Sequence, residues 1–206
     1  RLALVSGSTA GIGYAIARTL AQEGARVIVN GRTKASVDEA VDRIRSETGG
    51  VAEGEPGDLS QSEVAWDVIR RRPGVAILVN NLGIFEPKPF EDIPDADWRR
   101  FFEVNVLSGV RLARLVLPSM RQADWGRIIF ISSESAVQIP TEMVHYGVTK
   151  TAQLAVARGL AESVAGTGIT VNSVLPGPTK SRGVTDFVED MARAKGQDFG
   201  QVEAEF

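Results

Sequence analysis

Tyr146 and Lys150 stand four residues apart in Tyr146-Gly147-Val148-Thr149-Lys150. On a helix this spacing puts both side chains on one face. A phenol ordinarily ionises near pH ~10, too high for an efficient acid or base at neutral pH, and a neighbouring ammonium favours the phenolate and lowers that value. The pair therefore predicts a proton-transfer site in which Lys150 tunes Tyr146. A Tyr-x-x-x-Lys is also a common surface pair, so its meaning depends on what the fold brings to it.

A second chemistry-bearing segment, Ser6-Gly7-Ser8-Thr9-Ala10-Gly11-Ile12-Gly13, follows an apolar run and leads into a helical pattern. Glycines at such a turn let the backbone approach a pyrophosphate, whose charge meets the free N–H groups and positive dipole end of the helix. The spacing Gly-x-x-x-Gly-x-Gly is one residue longer in its first gap than the commoner dinucleotide fingerprint. At the next strand end, Val29-Asn30-Gly31-Arg32-Thr33 lacks the acidic side chain that reads the ribose 2′-hydroxyl of NAD. Arg32 could instead pair with a 2′-phosphate. This favours NADP(H), with NAD(H) still possible.

Short β-type runs at 2–6, 26–30, 51–55, 76–80, 127–132 and 170–175 alternate with helical patterns at 12–23, 36–46, about 97–121 and about 143–164. Alternation of this kind predicts an α/β fold, a Rossmann-like doubly wound parallel sheet with helices on both faces. We expect a single domain over 1–206: a core at 1–175 and a substrate-loop region at 176–206. The two long helices carry apolar positions too widely spread for one sheet face, and a subunit interface could use the surplus. His145 points about 100° away from Tyr146 on a helix, off the site. Met143, Gln138 and Glu142 fall where substrate walls are expected, and packing is the default for Trp66, Trp98 and Trp125.

Of the 206 residues 43% are hydrophobic, enough for a substantial core, and the net charge of −3 leaves no electrostatic footprint for nucleic acid or an anionic membrane. With no Cys and a single His, thiol catalysis, disulfides and a thiolate or His-rich metal site are excluded, and no metal is expected. No apolar stretch approaches a membrane span. We expect a cytoplasmic protein.

The Gly loop, with Ser6 in a Thr position, resembles the cofactor signature of the short-chain dehydrogenases/reductases. The resemblance covers nearly the whole chain and implies cofactor contacts from Gly7, Ser8, Thr9, Gly11, Ile12 and Gly13. Asp58-Leu59 resembles the family's adenine-binding Asp, although Asp58 or Ser60 would also suit a helix cap. Asn80-Asn81-Leu82-Gly83 resembles Asn-Asn-Ala-Gly, which implies that Asn80 and Gly83 lie near the cofactor. Ser133, thirteen residues before Tyr146, matches the catalytic Ser that holds the substrate oxygen, leaving Ser132 structural. The same resemblance has Lys150 hydrogen-bond the nicotinamide ribose beside Tyr146. Asn105, in Val104-Asn105-Val106, matches a fourth catalytic residue that holds a water linking Lys to solvent. Pro176-Gly177-Pro178-Thr179 resembles the turn that meets the nicotinamide carboxamide. Ala10 departs from the pattern, since many NADP-dependent members carry a basic residue there.

Taken together, the resemblance implies an NADP(H)-favouring oxidoreductase that interconverts a carbonyl and an alcohol on a small molecule, with Tyr146 as acid and base. It also implies a homodimer or homotetramer through the two long helices, and a longer native chain carrying a further helix and a seventh strand. An epimerase or dehydratase of the same fold, and a non-catalytic NADP(H) sensor, are the alternatives.

Overall fold

The computed structural model describes residues 1–179 and Gly200. Its elements run β1 (Leu2–Val5), α1 (Gly11–Gln22), β2 (Arg26–Gly31), α2 (Lys34–Thr48), β3 (Ala52–Pro56), α3 (Ser62–Arg71), β4 (Ile77–Asn80), α4 (Asp95–Phe101), a π-helical stretch (Phe102–Leu107), α5 (Ser108–Gln122), β5 (Gly126–Ile131), α6 (Val144–Ser163) and β6 (Ile169–Val174).

The six strands form one parallel sheet in the order β3-β2-β1-β4-β5-β6. The chain winds outward from β1 to β3, crosses to β4, and winds outward again. Right-handed crossovers then place α1 and α2 on one face and the later helices on the other. Side-chain alternation serves both faces. Ala3, Val5, Val27 and Val29 pack with Ala17, Val37 and Ile44. Leu4, Ile28, Leu78 and Ile128 pack with Val68, Leu112 and Ala157 on the opposite side. The expected doubly wound fold is present.

β3 has the weakest apolar pattern, and ionic contacts hold it. Arg26 pairs with Glu53 at 2.7 Å, while Arg71 and Arg72 reach buried Glu55 at 2.8 and 2.7 Å.

Both ends of α2 lie two residues beyond expectation for local reasons. The Thr33 side chain accepts from the Ser36 N–H, which starts α2 two residues early, and Gly49 at φ +66° ends it after Thr48. The helix expected over 97–121 starts at Asp95 and is interrupted by the π-helical stretch that carries Asn105. The expected seventh strand is not among the described residues, and of the 176–206 region only 176–179 and Gly200 are described. Among the described residues no helix is long and apolar enough to cross a membrane.

In an open sheet of this winding, the crevice lies beyond the carboxyl ends of β1 and β4, where the strand order reverses. Ser6 ties these two ends together: its hydroxyl accepts from the Asn81 and Leu82 N–H groups at 2.9 and 3.0 Å and donates to the Val79 carbonyl at 3.4 Å.

Candidate active site

The Gly loop presents an open helix end to this crevice. Ala10 caps α1 with extended backbone and no side-chain bond, so the first-turn N–H groups stay available. Gly7 and Gly11 adopt φ of +60° and +55°. A Cβ on Gly13 would lie 2.4 Å from the Gly7 carbonyl oxygen, so only glycine lets α1 descend onto the loop.

Ser8 works inside the loop. Its buried hydroxyl donates to the Val5 carbonyl at 2.7 Å and accepts from the Asn30 N–H at 2.9 Å, so its side chain braces the turn instead of facing the cleft. Thr9 packs its methyl on Gly31. Asn30, which carries no sequence signal beyond its place in β2, accepts from the Gly7 N–H at 3.2 Å and donates to the Glu55 and Gly57 carbonyls. Its amide is thus fully engaged within the protein. Arg32 beside it is exposed, with no ion pair or hydrogen bond among the described residues.

Two expected cofactor residues turn their side chains inward. Leu59 is 1% exposed within the core, leaving only its backbone for a ligand. Asn80 is buried with neither amide atom paired among the described residues. It is Asn81 that lines the cleft, and its amide donates to the Ser6 and Gly7 carbonyls at 3.0 and 2.9 Å. Asp58 accepts from the N–H and hydroxyl of Ser60 at 2.9 and 2.7 Å, which fixes the turn before α3, but neither residue caps that helix: its N-cap is Gln61, with no side-chain bond.

A cleft of about 270 Å³ gathers Gly13, Gly83, Ser133, Tyr146, Lys150 and Thr179. Met143 also lines it, whereas Gln138 and Glu142 do not; Ile84, Phe85 and Glu134 were missed as wall residues. Ile12, Pro176 and Gly177 complete the brought-together set. Ser133 ends the extension of β5; its oxygen accepts from the Ser135 N–H at 3.1 Å and its hydroxyl meets Tyr146 across the cleft. Ser132 donates to the Lys150 carbonyl at 2.9 Å, the structural role expected of it.

Electrostatics at the pair depart from expectation. Burial pushes the Tyr146 phenol above its ordinary value, while its hydrogen bond with Ser133 acts in the opposite sense. The Lys150 ammonium is buried and pushed down to about 8. Its Nζ donates to the Ile131 carbonyl at 3.0 Å and to Gln153 Oε1 at 3.4 Å, and sits 5.5 Å from the centre of the Tyr146 ring. Turned toward those carbonyls, the ammonium does not outweigh burial at the phenol.

Asn105 supports the cleft from behind. Its Oδ1 accepts from the Ile84 N–H at 2.7 Å, and its Nδ2 donates to the Ile84 carbonyl and Thr149 Oγ1, both at 3.0 Å. Thr179 donates to the Gly177 carbonyl. His145 is wholly buried against Phe101 and Trp98 and does not line the cleft. Trp125 lies between Arg1 and Arg127, and Trp66 is half exposed under Arg70, so neither builds the core.

Comparison with known proteins places this arrangement. The family described as short chain dehydrogenase matches residues 1–192. The chain belongs to the short-chain dehydrogenase family. Within it, an uncharacterized oxidoreductase of Bacillus subtilis strain 168, YvaG, is 46% identical over 207 residues, covering 100% of this chain and 78% of that protein. Among solved structures, L-sorbose reductase from Gluconobacter frateurii, complexed with NADPH and L-sorbose, superposes with a TM-score of 0.90 at 30% identity, covering 98% of this chain and 78% of that one. A Phe-to-Trp variant of actinorhodin polyketide ketoreductase with NADPH gives 0.91 at 29% identity, covering 98% and 79%. As a short-chain dehydrogenase, the chain combines an uncapped helix end, a half-buried Tyr and a buried Lys in one cleft.

Proposed function

We propose that this chain is an NADP(H)-dependent oxidoreductase that interconverts a carbonyl and an alcohol. The carrying observation is that Ser133, Tyr146 and Lys150 share one cleft with the open amino end of α1. When bound, the dinucleotide supplies hydride in reduction and takes it up in oxidation. The Gly7 to Gly13 turn and the free N–H groups of α1 would hold its pyrophosphate, and residues 176–179 its nicotinamide end.

Tyr146 and Ser133 perform the proton work. Ser133 donates toward the substrate oxygen and fixes it as charge develops. Burial keeps Tyr146 protonated at neutral pH, so it enters carbonyl reduction as the acid and recovers its proton from the alcohol in oxidation. Lys150 in its charged form supports the phenolate left behind.

Unpaired Arg32 next to a fully engaged Asn30 favours a 2′-phosphate over a 2′-hydroxyl. The two solved neighbours described above hold NADPH, in keeping with that choice. The apolar groove between α5 and α6, lined by Leu117, Val156 and Leu160, supports self-association of the chain.

The test is a side-by-side titration with NADPH and NADH, followed by a carbonyl panel using wild type and Y146F. NADPH is expected to bind more tightly, and Y146F to bind it normally while losing turnover by roughly 100-fold or more. Binding of neither dinucleotide overturns the reading.

A further inference from the structure

Gln153 lies one turn beyond Lys150 on α6 and is only 2% exposed. Its flanks, Ala152 and Leu154, are apolar, and a buried amide costs free energy unless both of its ends are paired. Both ends are. Nε2 donates to the backbone carbonyl of Asn105 at 2.5 Å, and Oε1 accepts from Lys150 Nζ at 3.4 Å. The amide orientation is dictated by its neighbours, because the flipped form would set two carbonyl oxygens together at Asn105 and two donors together at Lys150.

We propose that Gln153 is a positioning residue for Lys150: its amide ties the ammonium to the Asn105 carbonyl, stabilises the charged form and fixes it beneath Gly83 and Tyr146. Lys150 Nζ lies 3.5 Å from where a Cβ on Gly83 would be, so the ammonium sits close against the backbone of that turn, and only a glycine leaves the space beside it open. The resemblance places a water on Asn105 as the link to Lys. In this chain the Gln153 side chain makes the link from Lys150 to Asn105 with protein atoms.

Two carbonyl oxygens, those of Ile131 and Gln153, oppose the burial that drives the ammonium toward its neutral form. Among the described residues, Glu134 and Tyr146 are the other ionisable side chains lining the cleft. The charged groups packed near the start of α6, Asp97, Glu86, Lys88 and Arg100, act on His145. Removing the Gln153 oxygen therefore changes the ammonium's surroundings with few competing charges.

The experiment follows the titration of Lys150 by carbon NMR of protein labelled at lysine Cε. The chain has five lysines, and K150R identifies the signal by its loss. Q153M keeps the length and loses both bonds, so the midpoint should fall by about one pH unit, the scale of a hydrogen bond to a charged group. Q153E places a carboxylate at the ammonium and should raise it. The alkaline limb of carbonyl reduction should move in the same directions. Equal midpoints in folded wild type, Q153M and Q153E overturn the proposal, and if Q153M does not fold, an unmoved midpoint in Q153E does so alone. Only the activity limb rests on the proposed reaction. The NMR titration needs neither cofactor nor substrate, so the failure of one reading is distinguishable from the failure of the other.

Discussion

Asn105 pairs with Ile84 as a neighbouring strand would, accepting from its N–H at 2.7 Å and donating to its carbonyl at 3.0 Å. The bond pair fastens the segment after β4, whose Gly83, Ile84 and Phe85 line the cleft, to the π-helical stretch. N105A leaves both Ile84 groups and Thr149 without this partner, at a cost of about 1–3 kcal/mol for an unsatisfied buried group. The expected result is a lower melting temperature and fast hydrogen exchange at the Ile84 amide. N105D keeps the acceptor for Ile84 N–H but loses both donors, so exchange at Ile84 should stay slower than in N105A. Equal protection in wild type and N105A would show that this pairing does not hold the segment.

Lys150 sets the alkaline side of the proposed reaction. Burial lowers its ammonium to about 8 and raises the Tyr146 phenol, so as pH rises the ammonium is lost first. Carbonyl reduction needs a protonated Tyr146 and a charged Lys150. Its rate should therefore be constant below the Lys150 value and fall as pH rises through about 8. A kcat profile with saturating cofactor reads this directly, and a limb found only above pH ~10 would assign it to a phenol instead.

The sheet and the Tyr146–Lys150 pair were legible because their signals are local. Alternation along β1 and β2 assigns each residue a face, and Tyr146 and Lys150 share a face at their spacing. Asn30, Asn81 and Gln153 were not legible, because each acts through backbone groups far away in the chain that only the folded sheet delivers. Leu59 and Ser8 sit beside motif residues, yet their side chains turn inward, which a motif match cannot distinguish. The upward shift of Tyr146 escaped for the same reason: its dominant cause is burial by the assembled cleft, while the sequence displayed only the nearby Lys.

Arg32 should decide the dinucleotide. Its guanidinium is exposed and unpaired among the described residues, and Ala10 across the Gly loop adds no second cation. R32A should weaken NADPH about 10-fold or more, the loss of one or two charge-assisted bonds, and leave NADH nearly unchanged. Raising the salt should narrow the wild-type preference, because an exposed pair is screened. A fluorescence titration of both proteins with both dinucleotides makes the comparison, and an equal loss for NADH would remove Arg32 from phosphate recognition.

His145 couples stability to pH. It is wholly buried, its ring centre lies 3.9 Å from that of Phe101, and neither ring nitrogen has a hydrogen-bond partner among the described residues. Burial lowers its value below the ordinary 6.5, ahead of the opposing pull of Asp97. The folded state thus holds the neutral ring while the unfolded chain takes up a proton near pH ~6.5. Stability should be fully present above that pH and decline as pH falls through it toward the folded-state value. H145L, which removes the unpaired nitrogens, should flatten this part of the melting-temperature profile. As the chain has a single His, its ring resonances report the titration without assignment, and a midpoint at or above 6.5 in the folded protein would contradict the account.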